Sequence, residues 1–67
     1  MRHLEGAMAE LPESMRDILL MVAVDDLSYE DAAALLTVPV GTVRSRLSRA
    51  RSALRAKLAA RGVVFDF

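Results

Sequence analysis

Apolar residues recur every three or four positions along most of this 67-residue chain, a spacing typical of amphipathic helices. The clearest case is the stretch 40–61, where the apolar positions of a helical wheel form one narrow stripe: Val43, Leu47, Ala50, Leu54 and Leu58. Small polar and basic side chains collect on the opposite side of this stretch. The pattern predicts a long helix with one buried face and one outward face.

Start and stop signals divide the remaining chain into three shorter helices. Pro12 disfavours helical geometry in the residue before it and suits the first turn of the helix that follows. Ser28, with Asp31 three residues later, has the arrangement of a helix N-cap. Pro39 cannot continue a helix and marks a tight connection. We therefore expect helices at about 2–10, 12–25, 28–36 and 40–61, followed by an apolar tail at 62–67.

These elements predict an all-α fold, in which residues 1–67 form a single small four-helix domain. The last two helices are joined by a short turn around Pro39, and the second of them is amphipathic and basic. Two helices connected in this way are typical of a helix-turn-helix unit. The long basic helix, the last in the chain, is then the expected recognition helix.

The formal net charge of zero hides a strong division along the chain. Residues 1–36 contain eight acidic and two basic side chains, a net charge of −6, whereas residues 37–67 contain seven basic and one acidic, a net charge of +6. Such asymmetry points to a nucleic-acid or acidic-protein partner for the basic half. We expect the fold to keep the two charged surfaces apart.

Other classes of protein are disfavoured by composition. The chain has no cysteine and a single histidine, His3, so it offers no disulfide framework and no cluster of metal ligands. It contains no nucleophile with a matched base and no phosphate-cradling glycine loop. We expect a protein that is not an enzyme and has no cofactor. No apolar run approaches the roughly 18 residues of a membrane span, so we also expect a soluble, cytoplasmic protein without membrane contact.

Several fragments, taken in order, resemble region 4 of extracytoplasmic-function sigma factors. They are LSYE at 27–30, AA at 32–33, PVGTVRSRL at 39–47 and RAR at 49–51, and the similarity covers about residues 4–60. Any one fragment is a weak signal, but the series at this spacing is specific. The resemblance implies a four-helix domain whose last helix enters the major groove at the minus-35 promoter element. It also implies a neighbouring surface that docks on the flap of RNA polymerase core or is covered by an anti-sigma factor.

The wheel and the resemblance agree on the DNA-facing residues. The first turn of the last helix presents free N–H groups that suit a phosphate, and Thr42 adds a hydroxyl. The wheel aims Ser45, Ser48 and Arg49 outward, and Arg49 is the first choice for base readout because a guanidinium can bond two acceptors on guanine. The positions that face DNA in similar sigma factors are Arg44, Ser45, Ser48, Arg49 and Arg51.

Some of the basic residues have simpler explanations. Arg46 lies toward the apolar boundary, near the expected path of the preceding helix, so we expect a structural salt bridge with Glu30. Arg55, Lys57 and Arg61 lie beyond the presumed groove contact, and basic residues near a helix C-terminus are favourable without any ligand. We expect these three to be solvated or to complement the helix dipole.

The chain departs from the family pattern at three positions. Thr37 stands where relatives often have glycine, and a β-branched residue in a turn that requires positive φ would be strained by about 1–3 kcal/mol. Asp26 replaces another frequent glycine, although Asp tolerates left-handed geometry better. Val22 replaces an arginine that can help hold DNA or polymerase, so we expect weaker binding or a different partner.

Two alternatives stay open for the function. The chain could be a sigma-like interaction domain that binds an anti-sigma factor or RNA polymerase without reading DNA. It could also be a response-regulator output domain, although the SYED and PVGTVRSRL fragments disfavour this.

Two alternatives also stay open for the tail at 62–67. Gly62 could close the last helix, with an apolar residue folding back on the core. Otherwise, the tail would be an exposed apolar strip for a partner.

Overall fold

The computed structural model of the protein describes residues 2–64. Helix α1 spans Arg2–Ala9, α2 spans Glu13–Leu19 and continues as a π-helix over Leu20–Val24, α3 spans Tyr29–Leu36, and α4 spans Val40–Ala60. The expected all-α class, with a helix-turn-helix formed by α3 and α4 at its C-terminal end, is confirmed. The long basic helix is the last element.

Helix α4 forms one wall of the hydrophobic core along most of its length. The stripe expected from the sequence is buried, and its five members are 0–3% exposed: Val43, Leu47, Ala50, Leu54 and Leu58. Helices α1, α2 and α3 all pack on this side of α4, and they contribute Ala7, Ile18 and Ala32 to the core. Burying a large apolar side chain stabilises the fold by about 1.5–3 kcal/mol. The opposite side of α4 is left in solvent.

The second helix differs from the regular α-helix expected over 12–25. From Leu20 onward, the backbone widens into a π-helix, in which the Asp25 N–H donates to the Leu20 carbonyl at 2.9 Å. The segment then ends with Asp26 in the left-handed region, at φ 57°, and the Leu27 N–H donates to the Met21 carbonyl. All five residues of this π segment are apolar, but none is buried. Because every side of the segment is apolar, its sequence carries no periodicity from which the wider turn could be predicted.

Helix α3 begins and ends with defined caps. The Ser28 hydroxyl accepts a hydrogen bond from the Asp31 N–H at 3.0 Å, as the sequence predicts. At the other end, Thr37 has φ 58° and ψ 48°, and the Val38 N–H donates to the Ala33 carbonyl at 3.0 Å. This is a left-handed Schellman ending built on a β-branched residue. Thr37 thus adopts the positive φ of the turn that leads into α4, a backbone region that disfavours β-branched residues.

Helix α4 ends with the same motif built on glycine. Gly62 has φ 78°, its N–H donates to the Ala59 carbonyl, and the Val63 N–H donates to the Leu58 carbonyl, each at 2.9 Å. Val63 packs against the core, as the first alternative for the tail predicts, whereas Val64 is 97% exposed. The rest of the tail, 65–67, lies outside the described residues.

Candidate nucleic-acid interface

The outward side of α4 displays most of the residues predicted to face DNA. Arg44, Ser45, Ser48 and Arg49 are exposed. The small side chains of the two serines leave the helix backbone accessible between the arginines. A polyanion can therefore approach this side of α4 closely.

Thr42 is half-buried in the first turn of α4. Its N–H donates back to the Pro39 carbonyl at 3.0 Å, so the hydroxyl is the part of Thr42 left to contact a ligand. Gly41 is exposed beside it, and the position of its missing Cβ has open space around it. The Val43 N–H also donates to the Pro39 carbonyl, at 3.3 Å, which leaves the N–H groups of Val40 and Gly41 as the donors of this turn without a backbone acceptor among the described residues. The start of α4 thus combines accessible donors with the positive end of the helix dipole.

Arg51, the last of the residues predicted to face DNA, also borders a groove. It is half-buried and lines an apolar groove of about 700 Å³ between α1, α2 with its π segment, and α4. The groove is walled mainly by aliphatic side chains, including Leu4, Leu19 and Leu54. Its charged members are Glu5, Arg16 and Arg51. Arg51 therefore lies at the edge of the outward side, where α4 meets the groove.

The salt bridge predicted between Arg46 and Glu30 does not form in the described part of the chain. Arg46 lies instead with Arg49 beside Ser14 and Met15, at the start of α2. It faces α2 because its place on the wheel is on the side of α4 away from Arg44 and Arg51. Both Arg46 and Arg49 are therefore left without an acidic partner among residues 2–64.

An ion-pair cluster connects the residue after α1 to the end of α4. The sequence did not predict it. The Glu10 carboxylate accepts a hydrogen bond from Arg61 Nη2 at 2.9 Å and lies 3.9 Å from Lys57 Nζ. The hydrogen bond from Arg61 holds the pKa of Glu10 below its usual range, and the charges of Arg61 and Lys57 act in the same direction. Lys57 and Arg61, expected to be solvated or to complement the helix dipole, thus also form surface ion pairs with Glu10.

Gly6 makes room for this cluster. A Cβ at Gly6 would lie 2.5 Å from Nη2 of Arg61, so the guanidinium packs directly on the backbone of α1. Partners 51 residues apart share no local periodicity, so no sequence signal indicated this contact. Arg55, the remaining basic residue of this region, donates to the Ser52 hydroxyl at 3.3 Å.

Two other kinds of site find no support in residues 2–64. No group of three or more histidine, aspartate or glutamate side chains in this range is arranged to hold a metal ion. None of the helices described here has the length and apolar character needed to cross a membrane.

Comparisons with known proteins agree with this fold. The family model described as Sigma-70, region 4 matches residues 1–54. The ECF RNA polymerase sigma factor EcfG of Rhodopseudomonas palustris (strain TIE-1) is 47% identical over 53 residues, which are 79% of this chain and 29% of EcfG. The ECF RNA polymerase sigma-E factor of Escherichia coli (strain K12) is 50% identical over 48 residues, 72% of this chain and 25% of that protein.

This chain therefore spans between a quarter and a third of the length of these curated relatives. No solved structure matches it significantly. The family match covers most of the chain, including α1, α2, α3 and the part of α4 that carries the outward arginines. On this basis, the chain belongs to the Sigma-70, region 4 family.

Proposed function

We propose that this chain is the sequence-specific DNA-binding domain of an RNA polymerase sigma factor and that it reads the minus-35 promoter element. One observation carries the proposal. The exposed side of α4 holds Arg44 and Arg49 without an acidic partner in the described residues, and small serines lie between them. An unpaired basic helix face in a region 4 family member suits the major groove.

Each residue has a distinct role in the proposal. Arg49 reads a base, since its guanidinium can make two hydrogen bonds to the acceptor edge of guanine. Ser45 and Ser48 allow close approach and add hydroxyl contacts. The phosphate contacts on either side are assigned to Thr42, Arg44 and Arg51. The proposal gives the chain no enzymatic step and no cofactor, and it places the protein with cytoplasmic RNA polymerase.

Fluorescence anisotropy of labelled duplexes tests base reading. The family resemblance implies a GGAAC-like element, so the probes are a duplex with this element and a scrambled duplex of equal composition. We expect tighter binding to the first, and Arg49→Ala should weaken specific binding far more than nonspecific binding. Arg55→Ala is the matched control because it removes an equal charge beyond the proposed contact. Equal affinity for both duplexes would refute base readout.

A second candidate function is favoured by the apolar groove. An open apolar surface of this size is typical of protein docking sites, and part of its wall is exposed, with Leu20 at 39% and Val24 at 70%. The groove could bind the flap of RNA polymerase core or an anti-sigma factor, alone or in addition to DNA binding by α4. A pull-down that recovers one of these proteins, with DNA binding undetectable at low salt, would favour the interaction function alone.

A further inference from the structure

A small notch lies between α2 and the first half of α4. It has a volume of about 150 Å³ and is lined by Ser14, Met15, Arg46 and Arg49. Ser14 and Arg49 are exposed, whereas Met15 and Arg46 are half-buried. Because Met15 packs against the hydrophobic core, the neighbouring Ser14 is held at a fixed place beside α4. This Ser14 notch therefore brings one hydroxyl and two guanidinium groups to the same small space.

The two arginines concentrate positive charge in the Ser14 notch. Neither Arg46 nor Arg49 forms an ion pair or a side-chain hydrogen bond in the described part of the chain. Glu13 and Asp17 lie near Ser14 on α2, but they do not pair with these arginines. The half-buried guanidinium of Arg46 has lost part of its hydration, which an anion can replace. The notch therefore favours a bound anion.

A phosphoryl group on the Ser14 hydroxyl matches this arrangement. A phosphoserine carries a charge of about −1.5 to −2 at pH 7 and three acceptor oxygens. Two guanidinium groups balance that charge, and each can donate a pair of hydrogen bonds. We propose that Ser14 is a phosphorylation site whose phosphate is held by Arg46 and Arg49.

The modification is an ordinary phosphoryl transfer from ATP by a serine kinase. A bond forms between Ser14 Oγ and the γ-phosphorus, and the bond from that phosphorus to the β-phosphate oxygen breaks. ADP leaves, and the hydroxyl proton passes to a base of the kinase. Ser14 is exposed on the described structure, so its hydroxyl is accessible to such an enzyme.

Phosphorylation at this place acts on DNA binding through Arg49, which belongs to the Ser14 notch and is also the proposed base reader. A phosphate on Ser14 pairs with the Arg49 guanidinium and withdraws it from the edge of the base. This effect rests on the proposed function, because it requires α4 to read DNA. The phosphate site itself does not depend on that function.

The first experiment tests the phosphate site by ³¹P NMR on the 67-residue chain, synthesised with phosphoserine at position 14. The second pKa of the phosphate should be about one pH unit lower than in a phosphorylated peptide of residues 10–19. This peptide is the matched control because it retains Glu13 and Asp17 but lacks α4. Arg46→Gln should raise the pKa of the phosphate in the chain toward that of the peptide, with unchanged circular dichroism. Equal pKa values in chain and peptide, or no response to Arg46→Gln, would overturn the proposal.

The second experiment tests the effect on DNA by anisotropy of the phosphorylated and unphosphorylated chains. Phosphorylation should lower the ratio of specific to scrambled affinity about fivefold or more. In Arg49→Ala, it should weaken binding to both duplexes equally and leave their ratio unchanged. Equal weakening of both duplexes in the chain that retains Arg49 would overturn the withdrawal of Arg49. If the unphosphorylated chain does not distinguish the duplexes, the proposed function fails, whereas the NMR titration still decides the phosphate site.

Discussion

The two halves of α4 contain arginines at similar density but differ in what those arginines contact. In the first half, Arg44 and Arg49 are exposed and have no acidic partner among the described residues. In the second half, Lys57 and the C-cap residue Arg61 form ion pairs with Glu10, which directly follows α1. The difference arises from the neighbouring helix. Among residues 2–64, Glu10, which directly follows α1, is the acidic residue that lies beside basic residues at the end of α4.

This comparison distinguishes a basic side chain that is available to nucleic acid from one that is engaged within the fold. Acidic residues also precede the first half of α4 in the chain, since Glu30 and Asp31 lie in the first turn of α3. They form no ion pair with α4 in residues 2–64. Proximity along the chain therefore does not decide pairing, whereas the direction of each side chain on its helix does.

The largest expected effect comes from a substitution in the buried apolar stripe, which runs through both halves of α4. Leu47 is 2% exposed in the buried stripe, and Leu47→Ala should lower the free energy of unfolding by about 2–5 kcal/mol because it removes buried apolar contacts and leaves a cavity. Urea denaturation followed by circular dichroism measures the change. Leu35→Ala, at a position 66% exposed, is the control and should change stability by less than about 1 kcal/mol. Equal losses would contradict the assigned core.

The next prediction compares a basic residue from each half of α4 for its effect on DNA binding. Arg49→Ala should cost about 1–3 kcal/mol of discrimination between the minus-35 duplex and a scrambled one. Arg61→Ala should leave this discrimination unchanged, because Arg61 is hydrogen-bonded to Glu10. Anisotropy titrations at several salt concentrations measure both variants, and affinity should fall with rising salt for all of them. Equal loss of discrimination in the two variants would remove the distinction between the halves.

The two ends of α4 provide a third comparison, since the turn before it and the turn after it use the same left-handed motif. Gly62 adopts positive φ without strain, whereas Thr37 does so with a β-branched side chain. Thr37→Gly should raise the free energy of unfolding by about 1 kcal/mol, because relief of strain outweighs the greater entropy of glycine in the unfolded chain. Urea denaturation measures this change. Destabilisation by Thr37→Gly would show that the threonine makes a contact that offsets its strain.

The smallest effect concerns the ion pairs of the second half. Because the pKa of Glu10 is lowered from 4.5 in the folded state, its contribution is present above that value and is lost as pH falls through the folded-state pKa. Thermal unfolding should thus show the unaltered chain slightly more stable than Glu10→Gln at pH 7, with the difference disappearing toward about pH 2. If the difference in thermal stability between the two proteins stays constant across this pH series, the stability that the cluster contributes does not depend on ionisation of Glu10.

Local sequence determined the order of the helices, the buried face of α4 and several helix ends. The apolar spacing identified the buried stripe of α4, Ser28 identified the start of α3, and Gly62 identified the end of α4. These features depend on residues within one or two turns of each other, so the sequence carries them directly. The outward direction of Ser45, Ser48 and Arg49 follows from the same wheel. The DNA contacts of these residues remain a prediction.

Tertiary structure decided which charged groups meet. The pairing of Glu10 with Arg61, the turn of Arg46 toward α2 and the place of Arg51 in the groove depend on how α1 and α2 lie against α4. The π segment could not be predicted from the sequence either. All five of its residues are apolar, so the pattern of apolar and polar positions is the same for an α-helix and a π-helix. Charge pairing acts over a few ångströms between distant parts of the chain, so only the assembled helices determine which arginines stay available.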